Sequence, residues 1–147
     1  MLHFKELNYL NIIKLYYFLV RNKNDFNLFH PHEYNMNSLF RNIHNKKDFF
    51  VCLFYKNKIV GYGMLRGWKE GYDIPSLGIM IDKDYRGMGL SKILMEYLHI
   101  ICKFKKCDRV MLKVAKNNES AINLYKKLEY ELDNYNEVFM IGYKKIK

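Results

Sequence analysis

No stretch of this chain reaches the roughly 18 consecutive apolar residues that a bilayer span needs, so a membrane protein is not expected. Its opening residues, MLHFKELNYL, lack a basic segment followed by an unbroken apolar one, and no secretory leader is read there. Cysteine is scarce. Cys52, Cys102 and Cys107 are odd in number and lack the rhythm of a disulfide scaffold, which fits a reducing cytoplasm. The spacing of His99, Cys102 and Cys107 matches no usual structural zinc pattern, so no metal is expected. Internal repeats, low-complexity tracts and linkers are also missing, and residues 1–147 read as one domain.

Carboxylates are outnumbered by basic side chains, 15 to 25, for a net charge of +10. Two readings stay open: a solvated lysine-rich surface, or an anionic partner such as a nucleotide, a phosphorylated cofactor or nucleic acid. Half of the residues are hydrophobic, enough for a buried core.

Apolar residues at helical spacing (Leu7, Leu10, Ile12, Ile13, Tyr16 or Tyr17) predict a helix over about 7–21. Pro31 breaks the polar, aromatic stretch that follows, and a short helix is expected at 36–45. DFFVCLFY (48–55) and IVGYGMLRG (59–67), joined by KNK, read as a hairpin. A third strand is expected at 72–82, where Pro75 and Gly78 suggest an edge position, a bulge or a splay. Next comes an amphipathic helix with Leu90, Ile93, Leu94, Tyr97, Leu98 and Ile101 on one stripe and Lys92, Glu96, His99 and Lys103 opposite. A strand (108–115), a helix opened by capping asparagines with Ala121, Leu124, Tyr125 and Leu128 on one face, and strands near 130–134 and 137–145 complete a mixed α/β sheet with packed helices.

The loop DYRGMGLS runs from a strand end straight into a helix. A helix's first turn has unpaired N–H groups and a partial positive charge, which together make an anion site. Gly87 and Gly89 carry no side chain to block approach, Arg86 adds a charge with several donors, and Ser91 adds a hydroxyl. A phosphate or pyrophosphate is the guest this suits, although a plain glycine turn with an exposed arginine would read the same way. No third glycine follows to make a dinucleotide fingerprint, and no Gly-Lys-Ser/Thr ending makes a nucleotide-hydrolase loop.

RGMGLS (86–91) resembles the Arg/Gln-x-x-Gly-x-Gly/Ala signature of the GNAT superfamily of acetyl-CoA-dependent N-acetyltransferases. NNESAINLYKKLEY (117–130) is similar to that family's Asn-x-x-Ala-x-x-Leu-Tyr-x-x-x-Gly-Phe segment, with Asn118, Ala121, Leu124 and Tyr125 on its marks. The two lie in the family's order with a strand between them, and the resemblance covers roughly residues 48–145. Ser91 departs from the usual Gly or Ala, Glu129 from the usual Gly, and Tyr130 from Phe.

The resemblance implies an α/β (α+β) fold with a mostly antiparallel central sheet of about six to seven strands flanked by about four helices. It implies acetyl-CoA as co-substrate. Backbone groups of Ile79, Met80 and Ile81 would pair with the pantetheine arm, and Arg86, Gly87, Met88, Gly89, Leu90 and Ser91 would hold the pyrophosphate. Asn118 would bond the pantetheine or acetyl end, and Tyr125 would lie near the sulfur as the general acid for the leaving thiolate. Taken alone, Tyr125 could equally be a core residue of its helix.

Several residues could supply the base. His30 and His32 flank Pro31 on a stiff loop, Glu70 and Asp73 precede the third strand, and ordered water is a further route. The strand RVMLKVA offers Lys113 where some relatives have a glutamate. Trp68, Glu70 and Asp73 are candidate substrate contacts, with Trp68 either stacking on a sugar or base or capping the core edge. The acceptor is expected to be a small-molecule amine, such as an amino sugar linked to a nucleotide, because a positive chain repels polyamines. A sensor that binds acyl-CoA without turnover, or a basic nucleic-acid module, are the rivals. Nucleic acid is disfavoured because basic and aromatic residues do not interleave on one strand face. A homodimer through the edge of the last strands is left open.

Overall fold

The computed structural model describes residues 1–24 and 35–147. In chain order the elements are β1 (Leu2–Glu6), α1 (Ile12–Arg21), α2 (Met36–His44), β2 (Phe49–Tyr55), β3 (Lys58–Arg66), β4 (Ser76–Ile81), a 3-10 turn (Lys83–Tyr85), α3 (Leu90–Phe104), β5 (Arg109–Ala115), α4 (Glu119–Lys127), β6 (Glu131–Asn134) and β7 (Phe139–Lys145). The seven strands form one sheet in the order β1-β2-β3-β4-β5-β7-β6. Neighbours are antiparallel except β4 and β5, which are parallel. This is the mixed, mostly antiparallel sheet with four α-helices that the resemblance implied.

Strand alternation sends side chains to two apolar layers. Tyr62 and Met64 of β3 join Leu15, Phe18, Leu19 and Leu39 of α1 and α2 on one face. Leu65 joins Leu94 and Leu98 of α3 and Val110, Leu112 and Val114 of β5 on the other. Each fully buried side chain of this kind contributes about 1.5–3 kcal/mol.

Four expectations change. The first is an added strand, since residues 2–6, ahead of the helix expected over about 7–21, pair with β2. As an edge strand, β1 buries little. Phe4 is its main anchor, stacked on Tyr97 of α3 with centroids 3.9 Å apart. Second, α1 begins at Ile12 instead of Leu7, since Asn8 and Asn11 build a turn: Asn11 Oδ1 accepts from the Asn8 N–H (2.9 Å) and Asn11 Nδ2 donates to the Glu6 carbonyl (2.8 Å). Its buried face is Ile12, Leu15, Phe18 and Leu19, while Leu10 and Ile13 are exposed.

Third, β4 lies in mid-sheet, so the edge reading of Pro75 fails and the splay holds. Pro75 is buried and its carbonyl accepts from the Met111 N–H at 3.0 Å, in the last contact before the strands part. Fourth, α3 is rotated from the expected stripe: Met95, His99 and Cys102 are buried with Leu90, Leu94 and Leu98, and Ile93 faces out. His99 can turn inward because the Tyr130 hydroxyl meets its Nε2 at 2.7 Å.

Candidate active site

The β4–β5 register consists of one pair, Ser76↔Met111. Beyond it β4 stays paired to β3 as far as Gly61↔Ile81, and β5 stays paired to β7 as far as Ala115↔Phe139. The two parallel strands therefore diverge, and a groove of about 340 Å³ opens between β4 and the start of the helix that follows β5. Ile79, Met80 and Ile81 form one wall, Arg86, Gly87, Gly89, Leu90 and Ser91 the end at α3, and Asn118 and Ser120 the side at α4.

The glycine loop has the geometry an anion needs. Gly87 and Gly89 both adopt left-handed backbone, φ 76° and 82°, which side chains adopt only with strain. A Cβ at either position would meet nothing within 4 Å of the protein, so their bareness serves open space over the helix end. Gly89 is the N-cap of α3 and supplies no side-chain acceptor, which leaves the first-turn N–H groups facing the groove end uncapped. The Arg86 guanidinium folds back to donate to the Ile81 carbonyl at 3.3 Å.

Ten cofactor residues were expected besides Tyr125. The groove brings nine of them together and leaves out Met88, which is mostly exposed. Asn118 caps α4, its Oδ1 accepting from the Ala121 N–H at 3.3 Å. Tyr125 does not line the groove. It lies buried in the α3-side core, two turns along α4 from Asn118 and so about 10 Å away. Burial pushes its phenol up to about 12.

Sequence reading missed the anchor beneath this loop. Asp82, fully buried, accepts from Arg21 Nε at 2.7 Å and from the Asp84 N–H at 3.0 Å, with Lys58 Nζ at 3.8 Å. Burial alone would raise its carboxyl, but the Arg21 hydrogen bond, the Asp84 N–H and the Arg21 and Lys58 charges outweigh it and hold the pKa below 3.8. Arg21 also donates to the Ile59 carbonyl (2.6 Å), and Asn22 Oδ1 accepts from the Lys83 N–H (2.9 Å). The C-terminus of α1 thus clamps the end of β4. Arg21 and Asp82 are 61 residues apart, and no local pattern links them.

A second hollow, of about 800 Å³, lies on the sheet face away from α3. Val110, Leu112 and Val114 pack toward α3, so alternation turns Met111 and Lys113 into the hollow, where Arg66, Glu70, Asp73, Ser76, Tyr135 and Tyr143 join them. Two of the three expected substrate residues, Glu70 and Asp73, line it. Trp68 does not: its ring packs against the α3-side core beneath Lys105 Nζ, 5.1 Å from the centroid, which matches the core-edge reading. His30 and His32 fall outside the described residues. Among the described residues no group of three His, Cys, Asp or Glu side chains gathers in a way that could hold a metal, and no helix is long and apolar enough to cross a membrane.

Comparisons with known proteins meet this geometry. The chain is 26% identical to an acetyltransferase of Sodalis glossinidius over 69% of each sequence. It is 32% identical to a probable spermine N(1)-acetyltransferase of Bacillus subtilis subsp. natto, over 62% of this chain and 67% of that protein. In fold it is similar to the PaiA N-acetyltransferase of Thermoplasma acidophilum, solved in complex with coenzyme A, with a TM-score of 0.80, 16% identity and 99% of each chain covered. The family model described as "Acetyltransferase (GNAT) family" matches residues 14–130, from the helix that clamps β4 to the tyrosine that meets His99, and the chain belongs to that family.

Proposed function

We propose that this acetyltransferase moves the acetyl group of acetyl-CoA directly onto a primary amine of a small acceptor held in the hollow lined by Glu70 and Asp73. The observation that carries the proposal is that β4 lines both the groove and the hollow. Ser76 lines the hollow and is the last β4 residue paired to β5, and Ile79 of the groove is three residues on, about 10 Å along the strand. A donor lying along β4 would present its thioester at the split, within reach of an amine on the other face.

In this reading the amine lone pair attacks the thioester carbonyl carbon, the C–S bond breaks, and coenzyme A leaves as a thiolate. Tyr125 is the proposed proton donor to that thiolate, and a phenol near pKa 12 stays protonated at neutral pH. Because it lies in the core beside the groove, its proton would reach the sulfur through an ordered water. The amine's proton passes to Glu70 or Asp73, directly or through water. His30 or His32, the neighbours of Pro31 in sequence, would serve the same role. Asn118 bonds the pantetheine arm and the α3 N-terminus holds the pyrophosphate.

The acceptor class proposed is a nucleotide-linked amino sugar or another small amine, supported by the net charge of +10. The similarity to a spermine acetyltransferase favours a polyamine instead, and the carboxylates of Glu70 and Asp73 would suit its ammonium groups. The reaction is set in the cytoplasm, in one domain over residues 1–147. Cys52 and Cys102, both buried free thiols, support a reducing compartment.

The test is incubation with acetyl-CoA and a panel of a nucleotide-linked amino sugar, a free amino sugar and spermine, read by coenzyme A release and product mass. Acetylation of the sugar nucleotide supports the acceptor named. Preference for spermine replaces it with the polyamine. Binding of acetyl-CoA with no amine acetylated turns the reading into that of a sensor.

A further inference from the structure

Three charged side chains of the hollow make no ion pair among the described residues: Lys113 on β5, and Glu70 and Asp73 in the β3–β4 connection. Opposite charges lining one concavity would be expected to close on one another if the contact served only stability. Of these three, the lysine stands on β5 and the two carboxylates on the β3–β4 connection, where Arg66 at the end of β3 adds a second cation to the hollow. Lys113 is exposed and its Nζ stands 4.1 Å from the centroid of the Tyr135 ring. That cation–π contact, between two exposed side chains, biases the ammonium toward the hollow and leaves its formal charge and its N–H donors available. The turn that carries Tyr135 is held by its backbone N–H, which donates to the Phe139 carbonyl at 3.1 Å. The volume of about 800 Å³ falls within the range of small-molecule sites.

We propose that Lys113, backed by Tyr135, selects the acceptor by binding an oxyanion group, a carboxylate or a phosphate, carried on the same molecule as the reacting amine. The Glu70 and Asp73 side then receives the amine end. The inference rests on the acetyl-transfer reading for the amine, but it concerns a different part of the acceptor and a different wall of the hollow. A diamine or polyamine would place a second ammonium against Lys113, and like charges in a half-enclosed site repel. A neutral amine would leave the lysine without a partner. An amine with an oxyanion satisfies both walls through charge-assisted hydrogen bonds.

The experiment compares kcat/KM for matched acceptors: glucosamine 6-phosphate against glucosamine, a dipeptide against its C-terminal amide, and putrescine as the dication. The expected result is a preference of about tenfold or more for the anionic member of at least one pair, as a charge-assisted hydrogen bond supplies. The phosphate and carboxylate arms say which oxyanion is read. In Lys113→Met that ratio should fall toward one, chiefly through KM, and in Lys113→Glu putrescine should become the better acceptor. Equal use of both members of each pair, or a Lys113→Met ratio equal to that of the wild type, overturns the proposal. If no amine is acetylated, calorimetric binding of glucosamine 6-phosphate and of the dipeptide to the protein saturated with coenzyme A decides separately. Binding lost in Lys113→Met upholds the oxyanion site while acetyl transfer fails, and absence of binding of both refutes it.

Discussion

His99 Nε2 and the Tyr130 hydroxyl lie 2.7 Å apart in the interior between α3 and the end of α4. Burial, then the nearby charges of Lys144 and Lys103, push the imidazole down to about 4. In the unfolded chain the same group titrates near 6.5. Below that pH the unfolded state takes up a proton that the native state refuses until about pH 4, so stability is full above pH 6.5 and is lost on the way down. The loss attributable to this residue is of order 3 kcal/mol. Urea unfolding at pH 7 and pH 4.5 should show a drop that is smaller in His99→Gln by about that amount. An identical drop in both proteins would remove His99 as the cause.

Glu129 follows α4 with φ 67°, a left-handed conformation at the position where helices commonly end in glycine. The family segment has Gly at this mark, and the observed backbone explains why. The Glu129–Lys144 contact at 3.5 Å is formed by a carboxylate that is 80% exposed, and it offsets little. Glu129→Gly is therefore expected to raise stability by about 1 kcal/mol, read as a higher urea midpoint with an unchanged slope. A lower midpoint would show that the ion pair outweighs the strain.

Asp82→Ala removes the acceptor from Arg21 and the cap from the turn that leads to the glycine loop. It should cost about 3 kcal/mol, because a half-buried guanidinium loses its partner. Weaker acetyl-CoA binding, measured by calorimetry well below the unfolding temperature, is expected too. Asp82→Asn should recover part of the stability, since it keeps an acceptor for the Asp84 N–H. The pH sign is opposite in origin to that of His99 but has the same direction. A carboxyl held below 3.8 stabilises the fold above that value, and the contribution is lost as pH falls through the native pKa.

Tyr125→Phe tests the proposed proton donor. Loss of general acid help should lower kcat by about a hundredfold or more with little change in the KM for acetyl-CoA. Because Tyr125 packs beside Tyr130, with ring centroids 5.8 Å apart, the variant's melting temperature must be measured alongside. An unchanged kcat would return Tyr125 to the role of a core residue.

The parts of the molecule legible in the sequence are those built from contiguous residues. The α3 and α4 helices, the β2–β3 hairpin and the loop from Arg86 to Ser91 each depend on neighbours within a few positions, and nine of the expected cofactor residues do meet in one groove. What escaped depends on partners far along the chain. β1 shows little pattern because as an edge strand it has few residues to bury. The face of α3 that packs inward was misjudged at His99 because only the distant Tyr130 makes a buried imidazole tolerable. The Arg21–Asp82 clamp and the Lys113–Tyr135 contact join elements that no local spacing connects.

The central claim is that the split between β4 and β5, closed at one end by Gly87, Gly89 and the α3 N-terminus, holds acetyl-CoA. The most direct measurement is thermal unfolding with and without acetyl-CoA, repeated with Gly89→Ala. At a hundred times its dissociation constant the ligand should stabilise the wild type by about 2.7 kcal/mol, a rise of roughly 5–10 °C for a chain of this size. Gly89→Ala should show a reduced rise, since its Cβ projects into the open space above the helix end. No shift with acetyl-CoA, or the same shift in Gly89→Ala, would contradict the assignment of this groove.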